Sequence, residues 1–449
     1  MPLSPSRLAA FRILTKIEQA GGVAVEMLHD DPVNRFNPAD RRLATELVYG
    51  VLRQKSCLDW HLASLVERPL ERLDREARMA LRLGAYQILF LSRIPVRAAV
   101  HESVELVKRS GKRSAAGLIN AVLRKTDKDD FERACRQLPA DSSRWLSLRY
   151  SHPEWLVSRW IDRWGLGDTT DLLTHNNRPP GVHFRSNSPR LRQAELAAIL
   201  EAEGCRVRSH HLGEGIWEVV EGDLYGSSLY RRGHLAVQDA GSQMIPRLLE
   251  LKPSDVCLDL CSGTGGKASR MAQMGMGQAS IIGMDSNFGR LRIARQRHGH
   301  HWSGLRWIVA DGTRPMPLSV RFDKILVDAV CSGTGTLQRN PEIRWRLRAE
   351  DLTRLARLQL SLLVNAADLV KSGGTLVYAT CSLEPEENEQ VVERFLSARP
   401  GFRMKTPCDD AVKPYCDRGG YFRLSPPEAR SDGFFAAVMQ ARRGHVSDR

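Results

Sequence analysis

Two cysteines of this chain have the setting that thiol chemistry requires, because each follows a short apolar segment and lies in a turn of small or polar residues. Cys331 stands in DAVCSGTG and Cys381 in ATCS. A thiolate that adds to carbon 6 of a cytosine makes carbon 5 nucleophilic toward an electrophilic methyl group, and a base must then remove the carbon-5 proton so that the thiol leaves. The residues alone leave open which cysteine would attack.

A loop of small residues and three aspartates form a second group of candidates, with the character of a nucleoside-binding site. Glycines let the backbone turn sharply and approach a ligand closely, and an acid about 20 residues after such a loop can bind ribose hydroxyls. Asp285 has that spacing, Asp311 suits the edge of an adenine, and Asp328 is placed to stabilise a pyrimidine adduct. The loop residues are Cys261, Ser262, Gly263, Thr264, Gly265, Gly266 and Lys267.

The same loop admits one rival interpretation. Gly263, Gly265 and Ala268 satisfy the GxGxxG/A pattern of dinucleotide-binding proteins, which would indicate a nicotinamide oxidoreductase. That pattern is weak on its own, and it leaves Cys331 and Cys381 without a role. A phosphate-binding P-loop is excluded because the sequence contains no GxxxxGK[ST] string.

The elements that must position these residues alternate in type from about residue 236 onward. Short β-rich apolar segments are separated by helical ones, which predicts a doubly wound parallel sheet that binds ligands beyond the carboxyl ends of its strands. We therefore expect a Rossmann-like α/β domain over residues 236–449. Its strands are predicted at residues 256–260, 280–285, 305–311, 323–328 and 375–381.

Two further regions precede this domain. Residues 1–138 repeat apolar side chains at three- and four-residue steps and contain few glycines, which predicts an all-helical domain. Residues 139–235 combine helical segments with the strand-like segments 182–187 and 216–222, which predicts a small α+β module. The expected fold class is therefore multidomain, with an all-α domain and an α+β module preceding the α/β domain.

Charge and cysteine usage restrict the partners and the compartment. The net charge is +14 and about half of it lies within residues 1–138, so nucleic acid is the favoured partner. Scattered cysteines without a CxxC pair indicate reduced thiols and no metal site. No apolar segment has membrane-spanning length. We therefore expect a cytoplasmic protein, and we expect it to be a monomer. The candidate RNA-contacting residues are Arg339, Arg344, Trp345, Arg346 and Arg348.

Several strings of the sequence resemble one enzyme family. LDLCSGTGGK, DAVCSGTG and ATCS, with Asp285 and Asp311, resemble the RNA cytosine-5 methyltransferases of the Nol1/Nop2/Sun family over residues 236–441. Upstream, residues 94–125 resemble a NusB-like RNA-binding domain, and residues 149–160 resemble the segment that joins it to catalysis. This combination is similar to the RsmB-type subgroup, which methylates a cytosine in small-subunit ribosomal RNA.

The resemblance implies a role for each matched residue. Cys381 would be the nucleophile, Cys331 would assist release of the product, and Asp328 would contact the target base. S-adenosylmethionine would be the cofactor, with Asp285 at its ribose and Asp311 on its adenine side. The residues implied to bind it are Cys261, Ser262, Gly263, Thr264, Gly265, Gly266, Lys267, Asp285, Asp311 and Asp328.

The chain departs from the family pattern at two places. Val330 stands where the family has proline before the cysteine, and the segment 262–267 replaces the usual Ala-Pro-Gly-Gly-Lys. Because both cysteines are present, we expect an active enzyme that takes a single-stranded or flipped-out cytosine of 16S ribosomal RNA. A transfer RNA substrate, or a non-catalytic RNA-binding or assembly factor with the same fold, is the alternative.

Overall fold

The computed structural model describes residues 3–28, 32–137, 139, 142–188, 191–299, 301–316 and 318–444. The chain forms two compact units. Met1–Arg178 and Leu337–Leu347 make the first, and Pro179–Thr336 and Arg348–Arg449 make the second. This division differs from the three consecutive ranges expected from the sequence, because residues 337–347 pack with helices that lie far from them along the chain.

Helices make up most of the first unit and alternate with strands in the second. In the described residues the helices are α1 (Pro5–Ala20), α2 (Ala24–Leu28), α3 (Pro38–Arg53), α4 (Lys55–Ala63), α5 (Arg75–Phe90), α6 (Val96–Arg109), α7 (Ala116–Lys125), α8 (Lys128–Arg136), α9 (Ser143–Tyr150), α10 (Glu154–Asn177), α11 (Gln193–Ala202), α12 (Ser228–Arg231), α13 (Ala240–Met244), α14 (Gly266–Met274), α15 (Phe288–His298), α16 (Ile343–Arg346), α17 (Ala349–Ala367), α18 (Glu389–Ala398) and α19 (Pro426–Ala429). Short 3₁₀ turns lie at Val33–Arg35, Leu70–Arg72, Arg113–Ala115, Ile245–Leu249, Thr334–Thr336 and Lys413–Tyr415.

The strands belong to two sheets of the second unit. Within the described residues they are β1 (His183–Ser186), β2 (Arg206–Ser209), β3 (Trp217–Glu221), β4 (Leu235–Val237), β5 (Val256–Leu260), β6 (Ser280–Asp285), β7 (Leu305–Val309), β8 (Phe322–Asp328), β9 (Val370–Thr380), β10 (Phe402–Met404), β11 (Tyr421–Leu424) and β12 (Phe434–Ala441).

The first unit is a bundle whose amphipathic helices share one apolar core. Leu14 of α1, Leu47 of α3 and Leu58 of α4 are buried in it, as the three- and four-residue apolar spacing requires. Arg82 of α5 is also buried and pairs with Glu18 and Asp59. The expected all-α region is confirmed. None of the helices within the described residues is long and apolar enough to cross a membrane.

The smaller sheet of the second unit has the strand order β2-β3-β1-β4 and is antiparallel throughout. Leu196 and Leu200 of α11 pack on Phe184 of β1 to form its core. A small α+β module with both strand-like segments is thereby confirmed. The helices α9 and α10, which the expected range 139–235 includes, group with the first unit.

The larger sheet is mixed and has the order β10-β12-β9-β8-β5-β6-β7, with β11 on β12. The five strands β5 to β9 pair in parallel, as predicted. β10, β11 and β12 extend it antiparallel beyond β9, and the sequence analysis did not predict them. Apolar patterning indicates that β12 is buried but carries no information about strand direction, and an antiparallel edge on a parallel sheet is common.

Candidate active site

The two candidate cysteines meet because their strands are neighbours. β8 and β9 are parallel with Asp328 opposite Ala379, so the residues that follow them emerge at the same edge of the sheet. The Sγ atoms of Cys331 and Cys381 are 3.3 Å apart, and both residues are partly accessible. Of the sequence candidates, these two are therefore brought into direct contact.

Gly335 holds the backbone of the second cysteine. Its N–H donates to the carbonyl oxygen of Cys381 at 2.9 Å. A Cβ atom at Gly335 would stand 2.6 Å from the carbonyl oxygen of Gly433 and 2.9 Å from that of Cys381. The close approach of these backbones therefore requires glycine at position 335.

The environment of Cys331 favours its protonated form. The hydrogen bond to Cys381, then burial, then the negative charges of Cys381 and Glu387 raise the pKa of Cys331 well above its ordinary value. Since only the thiolate is strongly nucleophilic, this environment disfavours nucleophilic attack by Cys331 near neutral pH.

Lys267 and Asp328 form an ion pair in the same site. Nζ of Lys267 is 2.7 Å from Oδ2 of Asp328 and 5.3 Å from the centre of the Phe434 ring. Burial lowers the pKa of Lys267, but the charge of Asp328, its hydrogen bond and the charge of Cys381 outweigh burial and leave the pKa raised. The ammonium group is therefore retained and acts electrostatically on Cys381.

A buried carboxyl group lies close to this ion pair. Asp259 of β5 is fully buried. Burial first, and then the charge of Asp328, raise the pKa of Asp259 well above its ordinary value. Burial therefore favours the protonated form of Asp259, and the ion pair of Lys267 is with Asp328.

The loop after β5 has the backbone that close ligand approach needs. Cys261 has φ 67°, and Gly263 and Gly265 have φ 57° and 81°. A Cβ atom at Gly265 would stand 2.5 Å from the Trp307 ring. Asp285, at the end of β6, accepts hydrogen bonds from the N–H of Gly263 at 2.9 Å and of Asn287 at 2.8 Å. The acid and the loop predicted to bind one cofactor are thus in direct contact.

This loop fits a polar nucleoside cofactor. The Ser262 hydroxyl is buried and has no hydrogen-bond partner among the described residues. A side chain at Gly263 would meet no atom within 4 Å, so the space beside it is open. α14 starts at Gly266, and the N-terminus of a helix is a favourable place for a carboxylate. Burial raises the pKa of Cys261 to about 12, so this third thiol stays neutral.

Asp311 has a different setting from the other two acids. It is exposed, accepts hydrogen bonds from the N–H and hydroxyl of Thr313 at 2.9 and 2.7 Å, and lies 3.5 Å from Arg314. Its interactions are local to the loop after β7. It remains a candidate for the adenine side, with no contact that ties it to Asp285.

The arginines predicted to contact RNA differ in exposure. Arg344 is 1 % exposed, and its guanidinium donates to the carbonyl oxygens of Arg53, Ser151 and Asn176 and to Asn177 Oδ1 at 2.8–3.2 Å. The prediction that Arg344 contacts phosphates is therefore wrong, because a buried guanidinium whose two terminal nitrogens bind internal acceptors cannot reach RNA.

The neighbours of Arg344 in the sequence also differ from one another in their exposure to solvent. Trp345 donates from Nε1 to the carbonyl oxygen of Leu52 at 2.8 Å and supports the helical core. Arg339 is partly buried, whereas Arg346 and Arg348 are exposed. Arg346 and Arg348 are therefore the members of this set that solvent, and so RNA, can reach most directly.

Glu387 was not predicted from the sequence. It is buried beside the loops that carry Cys331 and Cys381, and it contacts Ser332 and Ser382. The available signal was the acidic string EPEENE that follows Cys381. An acidic string ordinarily predicts a solvated loop, so it did not stand out. In the described residues no group of three or more His, Cys, Asp and Glu could hold a metal ion.

Comparison with known proteins covers most of the chain. Residues 246–440 match the 16S rRNA methyltransferase RsmB/F family, residues 4–128 match the NusB family, and residues 152–217 match the ferredoxin-like domain of RsmF/B-like methyltransferases.

Full-length relatives extend this result. The chain is 32% identical over 418 residues to the probable ribosomal RNA small subunit methyltransferase B of Bacillus subtilis (strain 168), covering 91% of this chain and 92% of that protein. It is 32% identical over 445 residues to the ribosomal RNA small subunit methyltransferase B of Klebsiella pneumoniae (strain 342), covering 97% and 98%. The solved structure of PH0851 shares the fold, with a TM-score of 0.81, 24% identity and coverage of 98% and 99%.

Proposed function

The chain belongs to the ribosomal RNA small subunit methyltransferase B family, and we propose that it methylates carbon 5 of a cytosine in 16S ribosomal RNA. The observation that carries this proposal is the pair of thiols, Cys331 and Cys381, 3.3 Å apart at the carboxyl ends of adjacent parallel strands. Two thiols in contact beside a nucleoside-binding loop match a reaction that needs one nucleophile and one group for release.

The cofactor of this reaction would be S-adenosylmethionine, which supplies an electrophilic methyl group when it is bound. The loop Cys261–Lys267 would hold it, with the Asp285 carboxylate at the ribose hydroxyls and Asp311 on the adenine side. The open space beside Gly263 and the unpartnered hydroxyl of Ser262 support this assignment. Asp285 holds the loop through the N–H groups of Gly263 and Asn287, and each of its two oxygens can accept a further hydrogen bond.

Cys381 would be the nucleophile. The Lys267 ammonium interacts electrostatically with Cys381, whereas the raised pKa of Cys331 disfavours a thiolate at Cys331. The Cys381 sulfur bonds to carbon 6 of the cytosine, and the ring electrons move to carbon 5, the position that becomes methylated. Asp328, held by Lys267, would contact the base and orient it for attack.

Cys331 would assist release once the carbon–sulfur bond exists. The bonded Cys381 sulfur has lost its charge and its proton, which are the first and third causes of the raised pKa of Cys331. Cys331 therefore loses its proton more readily at this stage and can accept the proton from carbon 5. The electrons of that C–H bond re-form the carbon 5–carbon 6 double bond and expel Cys381 as a thiolate.

The substrate must reach this site as an unpaired base, because carbons 5 and 6 of a stacked cytosine are inaccessible to a thiol. The positive net charge of +14 supports binding of ribosomal RNA. We propose that the enzyme acts in the cytoplasm as a monomer, and light scattering with and without RNA measures that oligomeric state.

Bisulfite sequencing tests the function directly. Deletion of the gene is expected to abolish protection of one cytosine in 16S ribosomal RNA, and the purified protein with S-adenosylmethionine is expected to restore it on undermethylated RNA. Loss of protection in transfer RNA instead would favour the other substrate class. Unchanged protection in both, with a folded protein saturated with S-adenosylmethionine, would favour a non-catalytic RNA-binding factor.

A further inference from the structure

One carboxylate joins the two loops that carry the thiols. Glu387 is fully buried. It accepts hydrogen bonds from the Ser332 N–H at 2.8 Å and from the Ser332 hydroxyl, and from the Ser382 hydroxyl at 2.5 Å. Ser332 and Ser382 are the residues that directly follow Cys331 and Cys381 in the chain.

A fourth donor extends the contact to the other side of Cys331. The amide of Gln359, on α17, donates to Glu387 at 2.9 Å and to the carbonyl oxygen of Val330 at 3.0 Å. Val330 replaces the proline of the family pattern, which would have fixed the backbone at this position. The Gln359 hydrogen bond supplies a restraint at the same place, so Cys331 is held on both sides.

The segment that carries Glu387 is itself anchored to β9. The Tyr378 hydroxyl donates to the carbonyl oxygen of Glu387 at 2.5 Å. Asn388 accepts from the Thr380 hydroxyl at 2.6 Å and donates to the carbonyl oxygen of Ser382 at 2.9 Å. The position of the carboxylate is therefore determined by the strand that ends immediately before Cys381.

We propose that Glu387 is a positioning residue for both thiols: it fixes Cys331 and Cys381 in contact by binding the serine that follows each. The inference rests on the proposed function. No cation pairs with Glu387 in the part of the chain that the structure describes. Burial of a carboxylate without a cation costs free energy that its hydrogen bonds must offset, which favours a role in placing these loops over a role in folding alone.

The charge acts on Cys331 together with its other neighbours. The titratable groups facing Cys331 are Cys381, Glu387 and Tyr378. The hydrogen bond to Cys381, burial and the charges of Cys381 and Glu387 raise the pKa of Cys331. Removal of the Glu387 charge therefore lowers that pKa and exposes more Cys331 thiolate at a given pH.

The Glu387→Gln variant tests the proposal, with Glu393→Gln on the exposed side of α18 as the matched control. We expect kcat for methyl transfer to fall about 10²-fold, because a misplacement of ~1 Å at reacting groups has that effect, while KM for RNA and for S-adenosylmethionine stays unchanged. Iodoacetamide labelling of Cys331 should reach its half-maximal rate at a lower pH in Glu387→Gln than in the unsubstituted protein. Mass spectrometry of the labelled peptides measures this rate. The control should match the unsubstituted protein in both measurements.

The labelling measurement distinguishes failure of this proposal from failure of the proposed function. If the unsubstituted protein transfers no methyl group, the function fails, yet the pH dependence of Cys331 labelling still decides the role of Glu387. An unchanged labelling profile in Glu387→Gln overturns the proposal, and so does an unchanged kcat.

Two milder variants serve if Glu387→Gln does not fold. Ser332→Ala and Ser382→Ala each remove one donor and keep the charge. Each should lower kcat about tenfold, as expected for loss of a hydrogen bond to a charged group, with the labelling profile preserved. Full kcat in both variants overturns the proposal.

Discussion

Two stretches that follow one another in the sequence use their polar residues differently. Residues 328–336 follow β8 and carry Cys331 to within 3.3 Å of Cys381. Residues 337–347 belong to the helical unit, where Arg344 binds backbone carbonyls and takes no part in a site. A polar residue just beyond the carboxyl end of a parallel strand is placed for chemistry, whereas an arginine on a short helix acquires its role from whatever packs around it.

The largest effect should come from the nucleophile. Cys381→Ala is expected to reduce methyl transfer on the order of 10⁴-fold or more, because loss of a covalent nucleophile removes the whole pathway, with the thermal unfolding temperature unchanged. Cys408→Ala is the control, since Cys408 is exposed and outside the site. Residual activity within tenfold of the unsubstituted protein would contradict the assignment.

The ion pair should give the next largest effect. Lys267→Met leaves the Asp328 carboxylate unpaired and removes the cation that acts on Cys381, so kcat should fall about 10²-fold. Lys371→Met removes an ion pair of similar length, with Asp323, away from the thiols and should leave kcat unchanged. Equal losses in the two variants would mean that the Lys267 pair is merely structural.

Arg344→Met should affect stability and spare the chemistry. Its buried carbonyl partners lose their donors, at about 1 kcal/mol or more each, so the free energy of unfolding of the helical unit should fall by about 3 kcal/mol. Denaturant unfolding measures this change, and kcat at low temperature should stay unchanged. An intact free energy of unfolding combined with weaker RNA binding would restore the RNA-contact interpretation of Arg344.

The smallest effect concerns the exposed arginine two residues further on. Arg346→Gln should weaken RNA binding several-fold and reduce the slope of log Kd against log salt by about one, as expected for one lost phosphate contact. Fluorescence anisotropy at several salt concentrations measures the slope, and Arg344→Met should leave it unchanged. A changed slope in Arg344→Met alone would reverse the comparison between the two arginines.

The sequence was informative where topology alone fixes position. Cys331, Cys381, Asp285 and Asp328 all follow apolar segments, and the carboxyl ends of parallel strands meet at one edge of a sheet. Their placement therefore needed only the assignment of strands. The choice of Cys381 as nucleophile came from family resemblance, and the raised pKa of Cys331 now supports it physically.

The sequence was less informative where tertiary packing decides. Glu387 lies in an acidic string, and only the burial of that string against Ser332 and Ser382 gives its carboxylate a role. Arg344 lies close to the exposed Arg346 and Arg348 in the sequence and differs from them because the helices of the first unit enclose it. The antiparallel β12 carries the apolar pattern of any buried strand, and the pattern is the same for either direction.

Trapping of the covalent intermediate tests the central claim most directly. With S-adenosylmethionine and undermethylated 16S ribosomal RNA, Cys331→Ala should accumulate a protein–RNA adduct that survives a denaturing gel, because its Cys381 can attack but release is blocked. Cys331→Ala combined with Cys381→Ala should give no adduct. An adduct in Cys381→Ala, or none in Cys331→Ala, would contradict the roles assigned to the two thiols.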